Sequence, residues 1–253
     1  MEIITINFHP TLDNYFEVKD MLPSSKMHVQ NQVILPGGGG LNVSRALSQL
    51  NKPSFAIYFA GGAYGHELAT KLSEAPFENY KIEHHKSIRE NIVLKNKKDG
   101  AEYRFNMPIQ ELDPADYFKI LPLIALHQNM KFLVLSGHFG DTIPLEFLQE
   151  LIEYTQKKKI KVLIDTKGIG LRNAFDIGVF LVKPNRREFE MMVGENCPDL
   201  ASLKAKGQAY ISTSATENIL ISLGKEGALL INKSQTRFFQ APTIEQKKQC
   251  RSR

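Results

Sequence analysis

The segment best suited to chemistry is Pro36-Gly37-Gly38-Gly39-Gly40-Leu41-Asn42-Val43-Ser44-Arg45-Ala46. An apolar run ends in a proline, four glycines follow, and a helical pattern begins. Glycines let backbone N–H groups approach a ligand closely. A helix start adds unpaired N–H donors and a partial positive charge. Together these predict a cradle for an anionic or strongly polar group. The spacing is not that of a dinucleotide fingerprint, nor of a Walker A loop, which also needs Gly-Lys-Ser/Thr.

Other segments place polar side chains at the ends of apolar runs. Asn7-Phe8-His9-Pro10-Thr11-Leu12-Asp13 follows the first run, and Ser87-Ile88-Arg89 precedes another. Lys183-Pro184-Asn185-Arg186-Arg187-Glu188 ends a strand pattern and opens a helix, where Glu188 would complement the helix dipole. Ser222-Leu223-Gly224-Lys225-Glu226-Gly227 reads as a strand end and a glycine turn. The histidines are scattered, and the adjacent His84 and His85 cannot share one ligand face on a helix or strand, so no metal site is expected from them. The two cysteines, Cys197 and Cys250, make neither a disulfide framework nor a zinc site.

The elements that position these groups follow from hydrophobic periodicity. Ile3–Phe8, Phe55–Ala60, Phe132–Leu135, Val162–Ile164, Phe180–Val182 and Ile219–Leu223 are short, near-continuous apolar runs. Such runs suit strands of a parallel sheet with helices on both faces. Val43, Ala46, Leu47 and Leu50 recur at helical spacing, as do Leu145, Leu148, Leu151 and Ile152. The alternation predicts an α/β fold with a mainly parallel sheet. Two stretches interrupt it, about 14–35 and 88–107. The second is a hairpin pattern turning at Asp99-Gly100. They predict a small β-sheet lid over the carboxyl ends of the main strands, where ligands of open α/β sheets bind.

No run is long and apolar enough to span a membrane, and the amino terminus lacks the pattern of a signal peptide, so a cytoplasmic protein is expected. The formal charge of +5 is concentrated in Gln246–Arg253, which holds four basic residues and no acid. The body of the chain is therefore nearly neutral. It lacks a basic stripe with interleaved aromatics, so no nucleic-acid partner is expected.

With these residues in hand the chain resembles the PfkB/ribokinase family of carbohydrate kinases, and within it the PfkB-type 6-phosphofructokinases. The glycine run through Ala46, the Asn7–Asp13 opening, the second glycine turn Ala60-Gly61-Gly62-Ala63-Tyr64-Gly65-His66 and the strand Glu102–Pro108 all carry the likeness. The resemblance implies a ribokinase-like domain and ATP-dependent transfer of a phosphoryl group to a sugar phosphate, fructose 6-phosphate foremost. A 1-phosphofructokinase or tagatose-6-phosphate kinase activity is the alternative within the class, and a non-catalytic sugar-phosphate-binding protein the alternative outside it. It assigns Asp13, Gly38, Gly39, Asn42 and Arg89 to the sugar phosphate. It assigns Lys26, Lys183, Asn185, Ser222, Gly224 and Gly227 to the nucleotide, and Glu188 to Mg2+ bound with ATP. It further implies a homodimer formed through the lid, in which Val29, Val33 and Leu35 alternate on one face.

Departures are informative. Ser136-Gly137-His138-Phe139-Gly140 stands where the family has Ser-Gly-Ser-Leu-Pro, and His28 stands where an arginine is common. After Glu245 the family continues into a Gly-Ala-Gly-Asp segment supplying an anion hole and the catalytic base; here the sequence reads Gln246–Arg253. The expectation is a single domain, incomplete at its carboxyl end, with no catalytic base present and little or no activity. A one-base shift in an adenine run would turn the tail into Val-Gly-Ala-Gly, so the tail is expected to be out of frame.

Overall fold

The computed structural model describes residues 1–139 and 143–242. In chain order the first elements are β1 (Ile3–Asn7), β2 (Thr11–Val18), β3 (Gln30–Gly37), α1 (Gly39–Gln49), β4 (Phe55–Ala60), α2 (Gly62–Leu72) and β5 (Glu78–Glu83). Then come β6 (Arg89–Asn96), β7 (Glu102–Asn106), α3 (Pro114–Tyr117), α4 (Ile120–Ala125), β8 (Phe132–Ser136), α5 (Leu145–Lys157), β9 (Lys161–Asp165) and α6 (Gly168–Ile177). The last are β10 (Leu181–Val182), α7 (Arg186–Val193), α8 (Leu200–Ser212), β11 (Asn218–Ser222), β12 (Gly227–Asn232) and β13 (Thr236–Gln240). The α/β class and mainly parallel sheet expected from the sequence are what the chain adopts.

The large sheet has the order β13-β12-β11-β10-β9-β8-β1-β4-β5. It is parallel from β11 to β5, and only the β11–β12 and β12–β13 pairs are antiparallel. The chain leaves β1 for β4 on one side and returns to β8 on the other, so the strand order reverses at β1. In open α/β sheets such a switch point opens a crevice at the carboxyl ends of the strands.

Strand alternation divides the core. Ile4, Ile6, Ile57, Phe59, Leu133, Leu135, Val162, Ile164, Ile219 and Ile221 face the layer containing α4 to α8. Ala56, Tyr58 and Ala60 face Leu41 of α1 and Leu68 and Leu72 of α2. Thr5 lies on this second face, its hydroxyl 2.8 Å from Ser44 Oγ of α1.

Two expectations need correction. The face of α1 that is buried carries Gly40, Leu41 and Ser44, not the Val43–Ala46–Leu47–Leu50 stripe, and Leu50 is 69% exposed. Apolar spacing located the helix but not its seam, because the tightest packing needs small residues beside β1. Second, helices cover both faces only near β1 and β4. On the α1 side, Leu163, Leu181, Leu220 and Leu230 are half-buried among the described residues.

The small sheet has the order β3-β2-β6-β7. β2 and β6 pair in parallel, Thr11 opposite Arg89 and Asp13 opposite Asn91, while β3 and β7 flank them antiparallel. Its base packs on the main domain through Leu12, with Ile34 and Ile88 beside it. Residues 246–253, to which the sequence assigns the out-of-frame tail, lie outside the described residues.

Candidate active site

The glycine run is needed for packing as well as for any ligand. Gly37 ends β3 beneath Asp13, and a Cβ there would collide with the Asp13 carboxylate and the Thr11 hydroxyl. Gly38 has φ +118° and caps α1, and a Cβ would occupy the place of the Asn7 carboxamide. Gly39 packs on Ser136 and Gly137, and Gly40 on the Ile6 carbonyl. The start of α1 is thus pressed between the carboxyl ends of β1 and β8, with its first N–H groups at the switch point. Asn42 lies in the first turn, its Oδ1 accepting from Arg45 Nη1 at 2.6 Å; Arg45 Nη2 also donates to the Pro36 carbonyl at 2.8 Å. Arg45 therefore fixes Asn42 against the strand entering the loop.

Asp13 and Arg89 arrive from the small sheet. Asp13 Oδ1 accepts from Thr11 Oγ1 at 2.8 Å and from Asn91 Nδ2 at 2.9 Å. Arg89 Nη1 donates to the Met107 carbonyl at 3.2 Å, and its buried Nε has no partner. Burial pushes the Arg89 pKa down, and Asp13 opposes that shift. The second glycine turn sets this position, because Gly61 lies against the His84 carbonyl and Gly62, at φ +68°, against Ser87. The Gly61 carbonyl accepts from the Ile88 amide at 3.3 Å.

A polar chain runs along the strand ends from here. Ser136 Oγ donates to Asp165 Oδ2 at 3.2 Å, and Asp165 Oδ1 pairs with Lys183 Nζ at 3.0 Å. The Gly137 amide donates to the Asp165 carbonyl at 2.9 Å. Asp165 is a site residue that sequence reasoning missed; its only signal was a carboxylate at the end of a buried run.

Asn185 and Ser222 are neighbours, joined as a parallel bridge, and the Ser222 amide donates to the Pro184 carbonyl at 2.9 Å. Asn185 caps α7: its side chain accepts from the Glu188 amide at 2.9 Å, and Glu188 Oε2 accepts from the Asn185 amide at 2.8 Å. This reciprocal pair is a capping box. The turn after Ser222 has Gly224 at φ +58° and Gly227 at φ +127°. Gly227 also lies against the Phe239 carbonyl, so a side chain there is excluded twice. Lys26 is the outlier: it is exposed in the loop between β2 and β3, with no hydrogen bond or ion pair among the described residues.

Two histidines are buried near these groups. His9, directly after β1, is buried against His138 with ring centroids 5.8 Å apart. His84 is buried with Nε2 3.3 Å from Asp116 Oδ2. Among the described residues no group of three or more His, Cys, Asp or Glu could hold a metal ion, and no helix is long and apolar enough to cross a membrane.

A mainly parallel α/β sheet with a glycine-lined helix start at its switch point, a second sheet bearing Asp13 and Arg89, and an Asn-x-x-Glu helix cap beside a glycine turn define a sugar-kinase architecture. The chain belongs to the pfkB family of carbohydrate kinases, whose model matches residues 11–248; it is a phosphotransferase by family. It is 30% identical over 230 residues to the ATP-dependent 6-phosphofructokinase isozyme 2 of Escherichia coli K12, covering 90% of this chain and 74% of that relative. It is 27% identical over 240 residues to the 1-phosphofructokinase of Bacillus subtilis 168, covering 95% and 78%. The crystal structure of the E. coli phosphofructokinase-2 in complex with fructose-6-phosphate superposes with a TM-score of 0.88 at 28% identity, covering 96% of this chain and 81% of that one.

Proposed function

We propose that the site binds fructose 6-phosphate and ATP, in the manner of a 6-phosphofructokinase whose product would be fructose 1,6-bisphosphate. The observation that carries this reading is the convergence of Asp13, Arg89 and the α1 N-terminus at the β1 switch point. In it, Asp13 accepts from a sugar hydroxyl, the Gly38 and Gly39 backbone and Asn42 hold the sugar, and Arg89 holds its phosphate. A guanidinium suits that last task because it is always charged and offers several donors. The likeness to a 1-phosphofructokinase keeps other ketohexose phosphates as alternatives.

The nucleotide belongs along the β9–β11 ends. Lys183, Asn185, Ser222 and the Gly224–Gly227 turn lie in one row there, and the glycine turn leaves room for a flat base and ribose. Glu188 and Asn185 supply oxygen donors. That set fits Mg2+, which keeps most of its shell as water and phosphate oxygens and needs few carboxylates. When bound, the ion neutralises charge on the transferred phosphoryl group. Lys26 would reach a nucleotide only in a second copy of the chain, which accords with a dimer through the small sheet. The small sheet acts as the lid in this reading.

Calorimetric titration of fructose 6-phosphate, fructose 1-phosphate and tagatose 6-phosphate, followed by a coupled ADP assay, tests each part. Absence of binding by any sugar phosphate would sink the reading.

A further inference from the structure

A narrow cleft lies beside Arg89, lined by His9, His84, Lys86, Ser87 and Gln110 over the apolar side chains of Phe8 and Phe59. Two of its residues carry a buried nitrogen with no hydrogen-bond partner, His9 Nε2 and Arg89 Nε, while His84 Nε2 faces Asp116 Oδ2 at 3.3 Å. Buried polar atoms are normally satisfied, so two orphans around one cleft point to a ligand that satisfies them. Arg89 Nε can only donate. The cleft therefore suits an oxyanion.

The His9 tautomer sets what it can do. The Phe139 backbone acts on the ring as a hydrogen-bond partner and Nε2 has none, so a neutral ring protonated on Nδ1 leaves Nε2 free to accept. The Phe139 carbonyl also accepts from Tyr117 Oη at 2.7 Å, which holds both rings in place. Burial, then the adjacent His138, hold the His9 pKa down to about 4. At neutral pH the ring is uncharged, and Nε2 presents a lone pair. The charged and titratable groups around it are His138 after β8, Arg89 at the start of β6, His84 after β5, Lys86, and Glu111, whose Oε2 is 3.9 Å from Nε2. The Lys86 ammonium is engaged by the Glu111 carbonyl and Asp113, and His84 faces Asp116.

We propose that His9 binds the phosphate of the sugar-phosphate acceptor: one phosphate oxygen enters the Arg89 cleft and shares a single proton with His9 Nε2. This rests on the sugar-phosphate reading above and adds His9 to the residues assigned there to the phosphate. A free sugar phosphate at pH 7.5 is mostly the dianion, its second pKa being about 6. His9 is neutral at that pH, so the shared proton comes from solvent and binding takes up a proton. A site built from Arg89 and backbone amides alone would favour the dianion and show proton release or no change. His9 thereby selects for a phosphate that can be a hydrogen-bond donor, and against a sulfate ester, which remains a fully ionised monoanion.

The test is calorimetric titration of the full chain with fructose 6-phosphate in buffers of different ionisation heat. Net proton uptake at pH 7.5 and an affinity that falls from pH 6 to pH 8 are expected. His9→Asn should abolish the uptake and weaken binding at pH 6.5 about tenfold, the size of one charge-assisted hydrogen bond. Should His9→Asn not fold, imidazole NMR of the unaltered chain gives the answer. The His9 resonances should move with fructose 6-phosphate and with inorganic phosphate, and stay still with fructose. Binding without proton uptake, unchanged binding by a folded His9→Asn chain, or a response to inorganic phosphate alone would overturn the proposal and leave the sugar-phosphate reading intact. No binding of fructose 6-phosphate would overturn both.

Discussion

Asp165 stands between the two halves of the site: its carboxylate pairs with Lys183 at 3.0 Å and accepts from Ser136 Oγ at 3.2 Å. Ser136 lies against Gly39 of the proposed sugar-phosphate cradle, and Lys183 is a proposed nucleotide contact. Asp165 and Lys183 are both about two-fifths exposed, so the ion pair contributes little to folding, roughly 0–1 kcal/mol. Asp165→Asn should therefore leave the melting temperature nearly unchanged. It should weaken nucleotide binding by freeing Lys183, and fructose 6-phosphate binding through Ser136, each severalfold. A change in only one of the two affinities in paired titrations would refute the link.

Glu188 has an observed role as a helix cap and a proposed role at Mg2+, and substitution separates them. As the last member of the capping box it contributes about 1 kcal/mol to α7. Glu188→Gln keeps an oxygen acceptor and should leave stability unchanged, but should weaken Mg2+-dependent ATP binding. Glu188→Ala should lose both. If Glu188→Gln binds Mg-ATP as well as the unaltered chain, measured by titration with and without Mg2+, the residue is a cap and nothing more.

The glycines differ in what they tolerate. Gly38→Ala places a methyl in the Asn7 carboxamide at a strained φ and should cost about 3 kcal/mol or more. Gly224→Ala meets no atom within 4 Å and sits in the left-handed region, so about 1 kcal/mol is expected. Urea unfolding of the two variants gives the ranking; equal costs would contradict the geometry.

Acid should destabilise the fold through His9. Its folded pKa of about 4 lies below the unfolded 6.5, so the unfolded chain binds more protons between these values. The stability is fully present above pH 6.5 and is lost as pH falls towards 4, by about 3 kcal/mol for this shift. His84, lowered mainly by burial, acts in the same direction. Denaturant unfolding in the absence of ligand at pH 7.5, 6 and 5 should show the decline, and His9→Asn should flatten it.

The small sheet carries an exposed apolar strip. Tyr15 and Val33 are opposite each other and 40% and 49% exposed, and Leu35 beside them is 46% exposed. Pairing of two such strips would join two copies through their lids. Val33→Glu combined with Leu35→Lys should convert a sedimenting dimer to monomer; a monomeric unaltered chain at micromolar concentration would count against the strip as an interface.

Local signals made most of the large sheet legible. The runs Phe55–Ala60 and Phe132–Leu135 are strands because only a sheet buried on both faces suits unbroken apolar sequence. Asp13, Arg89 and the glycine run were legible as motifs. Asp165, Asn91 and Thr11 were not, because they gain their roles from partners on other strands. The burial of His9 was hidden for a related reason. His9 reads as a scattered polar residue, and its burial depends on Phe139 and His138, which lie about 130 residues away in sequence. The seam of α1 was misplaced because glycine and serine, which carry no hydrophobic signal, form its tightest contact.

The two sheets are joined covalently at four places: Phe8–Pro10, Gly38, His84–Ile88 and Met107–Asp113. Each crossing carries a member of the proposed site or of the His9 cleft, namely His9, Gly38, His84 and Gln110. In most enzymes the residues that allow parts to move and those that choose a substrate can drift apart over generations. Here they are the same residues. A lineage that altered its sugar specificity at these positions would change the angle between its sheets in the same step, so descendants are expected to differ in preference and in lid geometry together.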